Sequence, residues 1–317
     1  MINTVFMGSP ETALPSLRAL LEYPGLRVVG VLAQPDRPAG RSRTPQPCPV
    51  KAEAQARGLP VFSPESARSV DTLETLRVWA PSLAVVCAYG QILPESILSL
   101  PSLGCYNLHF SLLPRWRGAS PVQAALLAGD GFTGVTLQRM VKALDAGDVA
   151  AQTPPVAITP EDTAQALLAR LANLAGTLLA QALPTLLSGT PVLTPQDPAQ
   201  VTFCRLIGKN DGAADFATES AQTIERKVRA YDPWPGCYVF TGGRRLGLMR
   251  VEVDSAAVPP LAPVGVLAED GRVRCAEGAL RLREVKPEGK GVMSFAAFRN
   301  GYPQSVGSPL LPKPAAP

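Results

Sequence analysis

The stretch NTVFMGSPETALPSLRALLEYPGLRVVGVLA (Asn3–Ala33) decides the predicted fold, because it combines the periodicities of a strand, a helix and a second strand. Its two ends, Asn3–Gly8 and Leu26–Ala33, are short and mainly apolar, as expected for buried strands. Between them apolar side chains recur at helical spacing, at Leu14, Leu17, Leu20 and Leu21. A strand, a helix and a strand within about thirty residues are typical of the βαβ unit of a parallel sheet. We therefore predict a Rossmann-like α/β domain.

Three further segments extend this sheet. Leu83–Gly90 is a continuous apolar run, which is typical of a central strand covered on both faces. Cys105–Phe110 and Thr133–Met140 are predicted as strands, with a helix near Pro121–Ala128 between them. Gly8 ends the first strand, but the spaced glycines of a dinucleotide fingerprint do not follow it. The fold is therefore predicted without a bound NAD.

The pattern of apolar and turn residues changes in the second half of the chain. Thr159, followed by Pro-Glu-Asp, has the pattern of a helix start, and Pro184 is expected to end or kink that helix. After it, Pro, Gly and Thr predict a linker, and then short apolar runs between turn residues predict a small barrel. We predict a catalytic domain at 1–188, a linker at 189–205 and an OB-like domain at 206–317.

Composition limits the class of protein. The length of 317 residues suits two domains, and the net charge of +4 permits a polyanionic partner without requiring one. The six cysteines form no Cys-x-x-Cys pair and the chain has one histidine, so no metal site is predicted. No basic leader, no membrane span and no apolar seam for self-association is evident in the sequence. We expect a cytoplasmic, monomeric protein with reduced thiols.

The candidate catalytic residues are Asn107, His109 and Asp145. His109 is the only histidine of the chain, and Asn107 lies two residues before it, so the two share one face of a strand. Asp145 lies in an Asp-Ala-Gly-Asp loop that can bring a carboxylate back to the same sheet edge. Taken one at a time, a core histidine and an ordinary turn aspartate are the more common explanations. Together, an amide, an imidazole and a carboxylate suit acyl transfer to an amine, because they can stabilise an oxyanion and move a proton.

A basic, proline-rich loop follows the second strand. Residues 33–51 include Arg37, Arg41, Arg43 and Lys51 and have no apolar periodicity, so the loop cannot be a core element. A solvated loop is the simplest interpretation. The alternative is a loop that contacts nucleic acid, because arginine-rich segments commonly become ordered on RNA.

Several motifs resemble the folate-dependent formyltransferases, and in particular the branch that acts on aminoacylated initiator tRNA. The strongest is NLHFSLLPRWRGASP at Asn107–Pro121. QPDRPAGR at Gln34–Arg41 is similar to the loop that meets the tRNA acceptor stem in that branch, and AYGQILP at Ala88–Pro94 is similar to the segment lining the folate pocket. ERKVRAYDPWPG at Glu225–Gly236 resembles the start of the C-terminal barrel of the family.

This resemblance implies formyl transfer from 10-formyltetrahydrofolate, without a metal, to the α-amine of methionine on initiator tRNA. It also implies that Asn107, His109 and Asp145 are the catalytic residues. The residues expected to bind the folate are Ser111, Leu112, Leu113, Pro114, Tyr89, Gly90, Gln91 and Ile92. Those expected to bind the tRNA are Arg37, Arg41, Arg43, Lys51, Lys209 and Arg229.

Two alternatives stay open at the level of sequence. One is a formyltransferase that acts on a small amine, such as a nucleotide sugar or glycinamide ribonucleotide, which would need neither the long basic loop nor a second domain. The other is an RNA-binding module on a nucleotide-binding scaffold, which would have no use for the amide, imidazole and carboxylate together.

Overall fold

A seven-stranded sheet organises the first half of the chain in the computed structural model, which describes residues 1–38, 44–254 and 263–314. Its strands are β1 (Ile2–Gly8), β2 (Leu26–Leu32), β3 (Val61–Phe62), β4 (Leu83–Cys87), β5 (Cys105–His109), β6 (Thr136–Arg139) and β7 (Val149–Gln152). Their order is β7-β6-β5-β4-β1-β2-β3. The five neighbouring strands β3, β2, β1, β4 and β5 are parallel, whereas β6 runs antiparallel to both of its neighbours, β5 and β7. The predicted parallel-sheet α/β core is confirmed.

Six α-helices occur among the described residues up to Leu187. They are α1 (Leu14–Glu22), α2 (Pro49–Ala56), α3 (Val70–Trp79), α4 (Glu95–Leu98), α5 (Pro121–Ala128) and α6 (Ala164–Leu187). Every residue of β4 is buried, as its uninterrupted apolar run predicted. Gly176 of α6 lies against Pro15 of α1, because a Cβ built at Gly176 would be 2.8 Å from the Pro15 carbonyl oxygen. A glycine at this position therefore permits close packing of the two helices.

The start of α6 differs from the sequence-based expectation. The helix begins at Ala164 and not near Thr159. The carboxylate of Asp162 accepts a hydrogen bond from the Thr159 backbone N–H at 2.7 Å, which closes a turn before the helix. Thr163 then provides the helix cap by accepting from the Ala166 N–H at 3.3 Å. At the other end the helix continues past Pro184 to Leu187.

The helix α6 is also the one described helix whose length and hydropathy would allow it to cross a bilayer. Half of its most apolar window is buried inside the protein. Many of its buried residues recur at three- and four-residue intervals, as at Ala164, Leu167, Leu171, Ala175, Leu178, Ala182 and Leu186. This pattern is typical of a helix that packs one face on a protein core.

The described chain divides into two compact units. The first comprises residues 1–121, 132–157 and 168–205, and the second comprises residues 122–131, 158–167 and 206–317. Short ladders outside the main sheets join Arg37–Pro38 to Pro45–Gln46, Phe132–Thr133 to Val156–Ala157, and Arg117–Gly118 to Phe203–Cys204.

The described residues from 206 onwards contain an antiparallel sheet and two α-helices, and the second unit also includes most of α5. The strands are β8 (Cys237–Thr241), β9 (Arg244–Asp254), β10 (Arg272–Arg274), β11 (Ala279–Pro287) and β12 (Met293–Ser294), and the helices are α7 (Ala221–Ala230) and α8 (Phe295–Gly301). The order is β8-β9-β11-β10, and β12 also pairs with β11. Their core includes Phe216, Ile224, Leu246 and Phe298. A small β-rich C-terminal unit is confirmed, while its closure into an OB-like barrel stays a prediction.

Candidate active site

Strand β5 places two polar side chains at the carboxyl edge of the parallel strands. Asn107 and His109 are separated by one residue, so they lie on the same face, and Leu108 between them is buried on the other. His109 is 6% exposed and Asn107 is half-buried. Ligands of open α/β sheets bind at this edge, which makes the pair a candidate site.

The His109 ring is held by the loop that follows β5. Its Nε2 lies 2.8 Å from the carbonyl oxygen of Trp116. A carbonyl can only accept, so this contact places a proton on Nε2. Trp116 adopts a left-handed backbone conformation, with φ of 62°. The other ring nitrogen, Nδ1, consequently faces away from Trp116 and is left for other interactions.

Asp145 lies opposite that second nitrogen. Its Oδ1 is 3.8 Å from Nδ1 of His109, and its side chain is only 10% exposed. The carboxylate accepts hydrogen bonds from the Gly118 N–H at 2.9 Å and from the Gln138 amide at 2.8 Å. A buried carboxylate requires such donors, because burial without them is costly. The Asp145 carboxylate therefore faces Nδ1 of His109.

A tight loop carries Asp145 back to the sheet. Asp145 has a φ of 49°, which is rare for a residue other than glycine. Two residues later, a Cβ at Gly147 would lie 1.6 Å from the Arg139 carbonyl oxygen, so only glycine fits there. The loop is closed by the Arg139 N–H, which donates to the Asp148 carbonyl at 2.9 Å. The Asp-Ala-Gly-Asp stretch therefore has a steric role beside its chemical one.

The carboxamide of Asn107 has no hydrogen-bond partner within residues 1–38, 44–254 and 263–314. The antiparallel register pairs Asn107 with Gln138 and His109 with Thr136. Paired residues of an antiparallel ladder have side chains on the same face. Gln138 uses its amide nitrogen to bind Asp145 and not its ladder partner Asn107.

The residues predicted to hold folate after β5 form a hydrogen-bonded turn. Thr136 donates from its hydroxyl to the Ser111 carbonyl at 2.7 Å and accepts from the Leu113 N–H at 3.0 Å. The Leu113 carbonyl accepts from the Gln152 amide at 2.8 Å. Ser111 and Leu113 are buried, whereas Leu112 and Pro114 keep part of their surface. Within this set, Leu112 and Pro114 are available for contact.

The predicted segment after β4 reaches the same edge, because β4 and β5 are parallel neighbours. Tyr89 is 2% exposed and belongs to the core, where burial raises the pKa of its phenol to about 12. The Gln91 amide donates to the Pro64 carbonyl at 3.0 Å. Gly90 is exposed and Ile92 is 67% exposed. Among the predicted folate-binding residues of this segment, Gly90 and Ile92 are therefore the exposed ones.

The basic residues predicted for tRNA have different surroundings. Arg37 is exposed and forms an ion pair with Glu65 at 2.9 Å, and Lys51 forms one with Asp36 at 2.7 Å. Lys209 is exposed in a short 3-10 helix. Arg41 and Arg43 lie outside the described residues.

Arg229 lies on α7 in the second unit and is 16% exposed. It forms a bidentate ion pair with Glu225 and donates to the Asp162 carbonyl at 3.2 Å. It borders a cavity of about 850 Å³ in which carboxylates outnumber guanidinium groups. The charged residues lining this cavity are Asp130, Glu161, Glu225, Asp232, Glu252, Glu284, Arg226, Arg229 and Arg250. Because Arg229 is engaged within the protein, its contact with RNA stays a prediction.

Sequence reasoning missed the polar residues that hold the site. Gln138 and Gly118 bind the Asp145 carboxylate, and Thr136 fixes the turn after β5. Polar residues at alternate positions of β6 were an available signal, because they are unusual on a buried strand. Cys204 also lies near, and burial together with the Asp145 carboxylate raises the pKa of its thiol.

No group of three or more His, Cys, Asp or Glu side chains that could hold a metal ion occurs within the ranges 1–38, 44–254 and 263–314.

Family models match almost the whole chain. Residues 4–183 match the formyl transferase family, and residues 206–303 match the formyl transferase C-terminal domain. Among curated relatives, the methionyl-tRNA formyltransferase of Myxococcus xanthus is 44% identical over 96% of both chains. That of Bdellovibrio bacteriovorus is 42% identical over 98% of both.

Solved structures share the fold at low sequence identity. An N-formyltransferase from Helicobacter canadensis, solved with folinic acid and dTDP-3-aminofucose, has a TM-score of 0.67 at 15% identity and covers 89% of this chain and 99% of that one. The methionyl-tRNA formyltransferase from Clostridium thermocellum has a TM-score of 0.58 at 14% identity, with 81% of this chain and 96% of that one covered.

Proposed function

Because the chain belongs to the formyltransferase family, with methionyl-tRNA formyltransferases as curated relatives along its length, we propose that it formylates methionyl-tRNA. The donor is 10-formyltetrahydrofolate, the acceptor is the α-amine of methionine on initiator tRNA, and the product is N-formylmethionyl-tRNA for translation initiation. One observation supports this most directly. His109 faces the Asp145 carboxylate at 3.8 Å, on the face of β5 that also bears the unpartnered Asn107 amide.

Asn107 and His109 stabilise negative charge in this proposal. The folate cosubstrate supplies the formyl group whose carbon is attacked by the amine. As the new C–N bond forms, negative charge develops on the formyl oxygen. The Asn107 amide donates a hydrogen bond to that oxygen and the positive charge of the His109 imidazolium stabilises it electrostatically, and groups held in place before reaction require little reorganisation. The buried position of His109 strengthens its electrostatic contribution.

Asp145 moves the proton. The attacking amine must lose one proton as its bond to the formyl carbon forms, and the departing N10 of tetrahydrofolate must gain one as its bond to that carbon breaks. Asp145 accepts the proton from the amine, and the proton is passed to N10, directly or through water. The same carboxylate orients His109, since its other partners, Gly118 and Gln138, keep it facing Nδ1.

The residues around the site suit a folate. The apolar surface offered by Ile92 and Leu112 fits a flat ring, and the unpartnered Asn107 amide fits the formyl oxygen. Tyr89, Gly90 and Gln91 are proposed to line the folate site through their backbone. Ser111, Leu113 and Pro114 shape the opposite turn. The chemistry described here requires no metal.

The basic loop and the second domain bind the tRNA in this proposal. The residues assigned to it are Arg37, Arg41, Arg43, Lys51, Lys209 and Arg229. The support is the positive charge of a loop that follows β2 at the edge where β5 ends, because phosphate contacts supply most of the affinity for nucleic acids. The domains are proposed as 1–188 and 206–317, with the latter closed as an OB-like barrel. The enzyme is proposed to act as a cytoplasmic monomer.

A formyltransferase acting on a small amine is the second candidate. It is favoured by the fold likeness to an N-formyltransferase solved with dTDP-3-aminofucose. The match of residues 206–303 to the formyl transferase C-terminal domain and the 44% identity to a methionyl-tRNA formyltransferase favour the tRNA substrate.

Formyl-transfer assays separate the candidates. The purified protein is given 10-formyltetrahydrofolate with methionyl initiator tRNA, methionyl elongator tRNA or a free amino sugar nucleotide. We expect fast product formation with the initiator tRNA alone. Faster turnover of the amino sugar nucleotide would show that the acceptor is a small amine and not the tRNA. Absence of turnover despite tetrahydrofolate binding would refute formyl transfer to all three acceptors.

A further inference from the structure

The segment of residues 194–204, called the strap below, was predicted as part of a linker but is bound along the active site. Thr194 and Val149 exchange backbone hydrogen bonds at 2.8 and 2.9 Å, so the strap pairs with the first residue of β7. At its other end, Phe203 and Cys204 pair with Arg117 and Gly118. The strap is therefore fixed at both ends within the first unit.

Gln196 lies between these anchors and holds the Asp145 loop. Its amide nitrogen donates to the Asp145 carbonyl at 2.8 Å and to the Gly147 carbonyl at 2.7 Å. Its amide oxygen accepts from Nε of Arg117 at 2.9 Å. Both N–H groups and the carbonyl of this half-buried amide are thus used, and a longer contact of 3.5 Å joins its amide nitrogen to the Gln138 amide oxygen on β6.

The backbone of Asp145 depends on such support. Its left-handed φ of 49° costs about 1–3 kcal/mol for a residue with a side chain, so the loop must be held by its surroundings. Gln196 fixes the backbone on both sides of Ala146, while Gln138 and Gly118 fix the carboxylate. Without Gln196, the loop can relax and carry the carboxylate away from His109.

The far end of the strap supports the partner of His109. The Thr202 hydroxyl accepts from the Trp116 N–H at 2.8 Å, and the Arg117 N–H donates to the Thr202 carbonyl at 2.9 Å. Trp116 in turn supplies the carbonyl that binds Nε2 of His109. One short segment therefore supports both the loop carrying the acid and the loop holding the imidazole.

We propose that Gln196 is a positioning residue for formyl transfer, which holds the Asp145 loop so that the carboxylate faces His109. The inference rests on the proposed function. Gln196 touches neither substrate in this arrangement, so its loss should reduce the rate of the chemical step and leave the affinity for both substrates intact. A displacement of about 1 Å in a reacting group can reduce the rate about 100-fold.

The test compares Gln196→Ala and Gln196→Met with Gln200→Ala as a matched control. Methionine keeps the length of the side chain and removes both donors. Gln200 lies in the same strap, but its amide donates to the Asp197 carboxylate at 2.8 Å, a residue of the strap itself. Steady-state kcat and KM are measured for 10-formyltetrahydrofolate and charged initiator tRNA, together with tetrahydrofolate affinity by calorimetry and Tm by thermal unfolding.

We expect kcat of both Gln196 variants to fall about 100-fold. Both KM values, the tetrahydrofolate affinity and the Tm should remain close to those of the unsubstituted protein, and Gln200→Ala should resemble that protein throughout. Unchanged kcat, an equal loss in Gln200→Ala, an effect confined to KM, or unfolding of both Gln196 variants would each overturn the positioning role. Inactivity of the unsubstituted protein would instead refute the proposed function.

Discussion

Replacing Asp145 by asparagine removes one charge and hardly changes the shape of the side chain. In the structure, Oδ1 of Asp145 lies 3.8 Å from Nδ1 of His109, and the side chains are 10% and 6% exposed. At an effective dielectric constant of about 20, opposite unit charges at that separation attract by about 4 kcal/mol. We expect much of this attraction to act on the imidazolium that stabilises the formyl oxygen.

The new amide also mismatches its donors. The carboxylate accepts from the Gly118 N–H and from the Gln138 amide. An asparagine must direct its NH₂ group towards one of them, which leaves a donor facing a donor unless Gln138 turns its amide over. Taking the electrostatic and hydrogen-bond losses together, we predict that kcat for Asp145→Asn falls by about 10²–10³-fold.

The assay is single-turnover transfer of formyl from 10-formyltetrahydrofolate to charged initiator tRNA. Asp148→Asn is the matched control, because Asp148 lies in the same loop and binds Arg139 through its backbone carbonyl. The control should keep near-normal rates. If Asp145→Asn retained more than half of the activity, or if both variants lost activity equally, the proposed use of the Asp145 charge would be wrong.

His109→Ala should lower kcat by at least 100-fold while the protein stays folded, because it removes the buried imidazole; near-normal turnover would exclude His109 from catalysis. Arg41→Ala should raise KM for the tRNA far more than for the folate, and equal effects on both would argue against tRNA contact. Gly147→Ala should lower the free energy of unfolding by about 2 kcal/mol or more, because its Cβ would lie 1.6 Å from a carbonyl oxygen. Gly131→Ala, in open space, should leave that free energy almost unchanged in urea unfolding, and equal losses in the two variants would contradict the geometry. Burial raises the pKa of the Cys87 thiol from 9.0 to about 12, so the unfolded chain loses that proton first and stability should fall as pH rises above about 9, by about 1 kcal/mol per pH unit. Urea unfolding at pH 8 to 10 under reducing conditions should show a smaller decline in Cys87→Ala, and an identical decline would argue against this origin.

Much of the fold could be predicted because it depends on local periodicity. The continuous apolar run of β4 and the short strand ending at His109 are visible in the sequence, and β4 is buried in full. The start of α6 was misplaced because Thr159 and Asp162 have the composition of a helix cap. In the structure these two residues close a separate turn, and Thr163 is the residue that caps the helix.

The candidate catalytic residues could be inferred from residue type, but the residues that hold them could not. Gln138 and Gln196 are separated by 58 positions and both act on Asp145, one through its side chain and the other through its backbone. Such contacts depend on tertiary geometry that has no local periodic signature. The Pro and Thr content of the strap predicts an exposed linker, whereas in the structure its backbone groups pair with β7 and with Arg117 and Gly118.

The position of Gln196 also bears on where the catalytic module ends. The formyl transferase match stops at residue 183, yet residues 194–204 supply further hydrogen bonds that hold the Asp145 loop and Trp116. A fragment that ends at residue 183 would thus keep Asn107, His109 and Asp145 and lose the strap that helps to align them. In chimeras that exchange C-terminal modules between relatives, the junction should lie after Arg205, so that each catalytic module keeps its own strap.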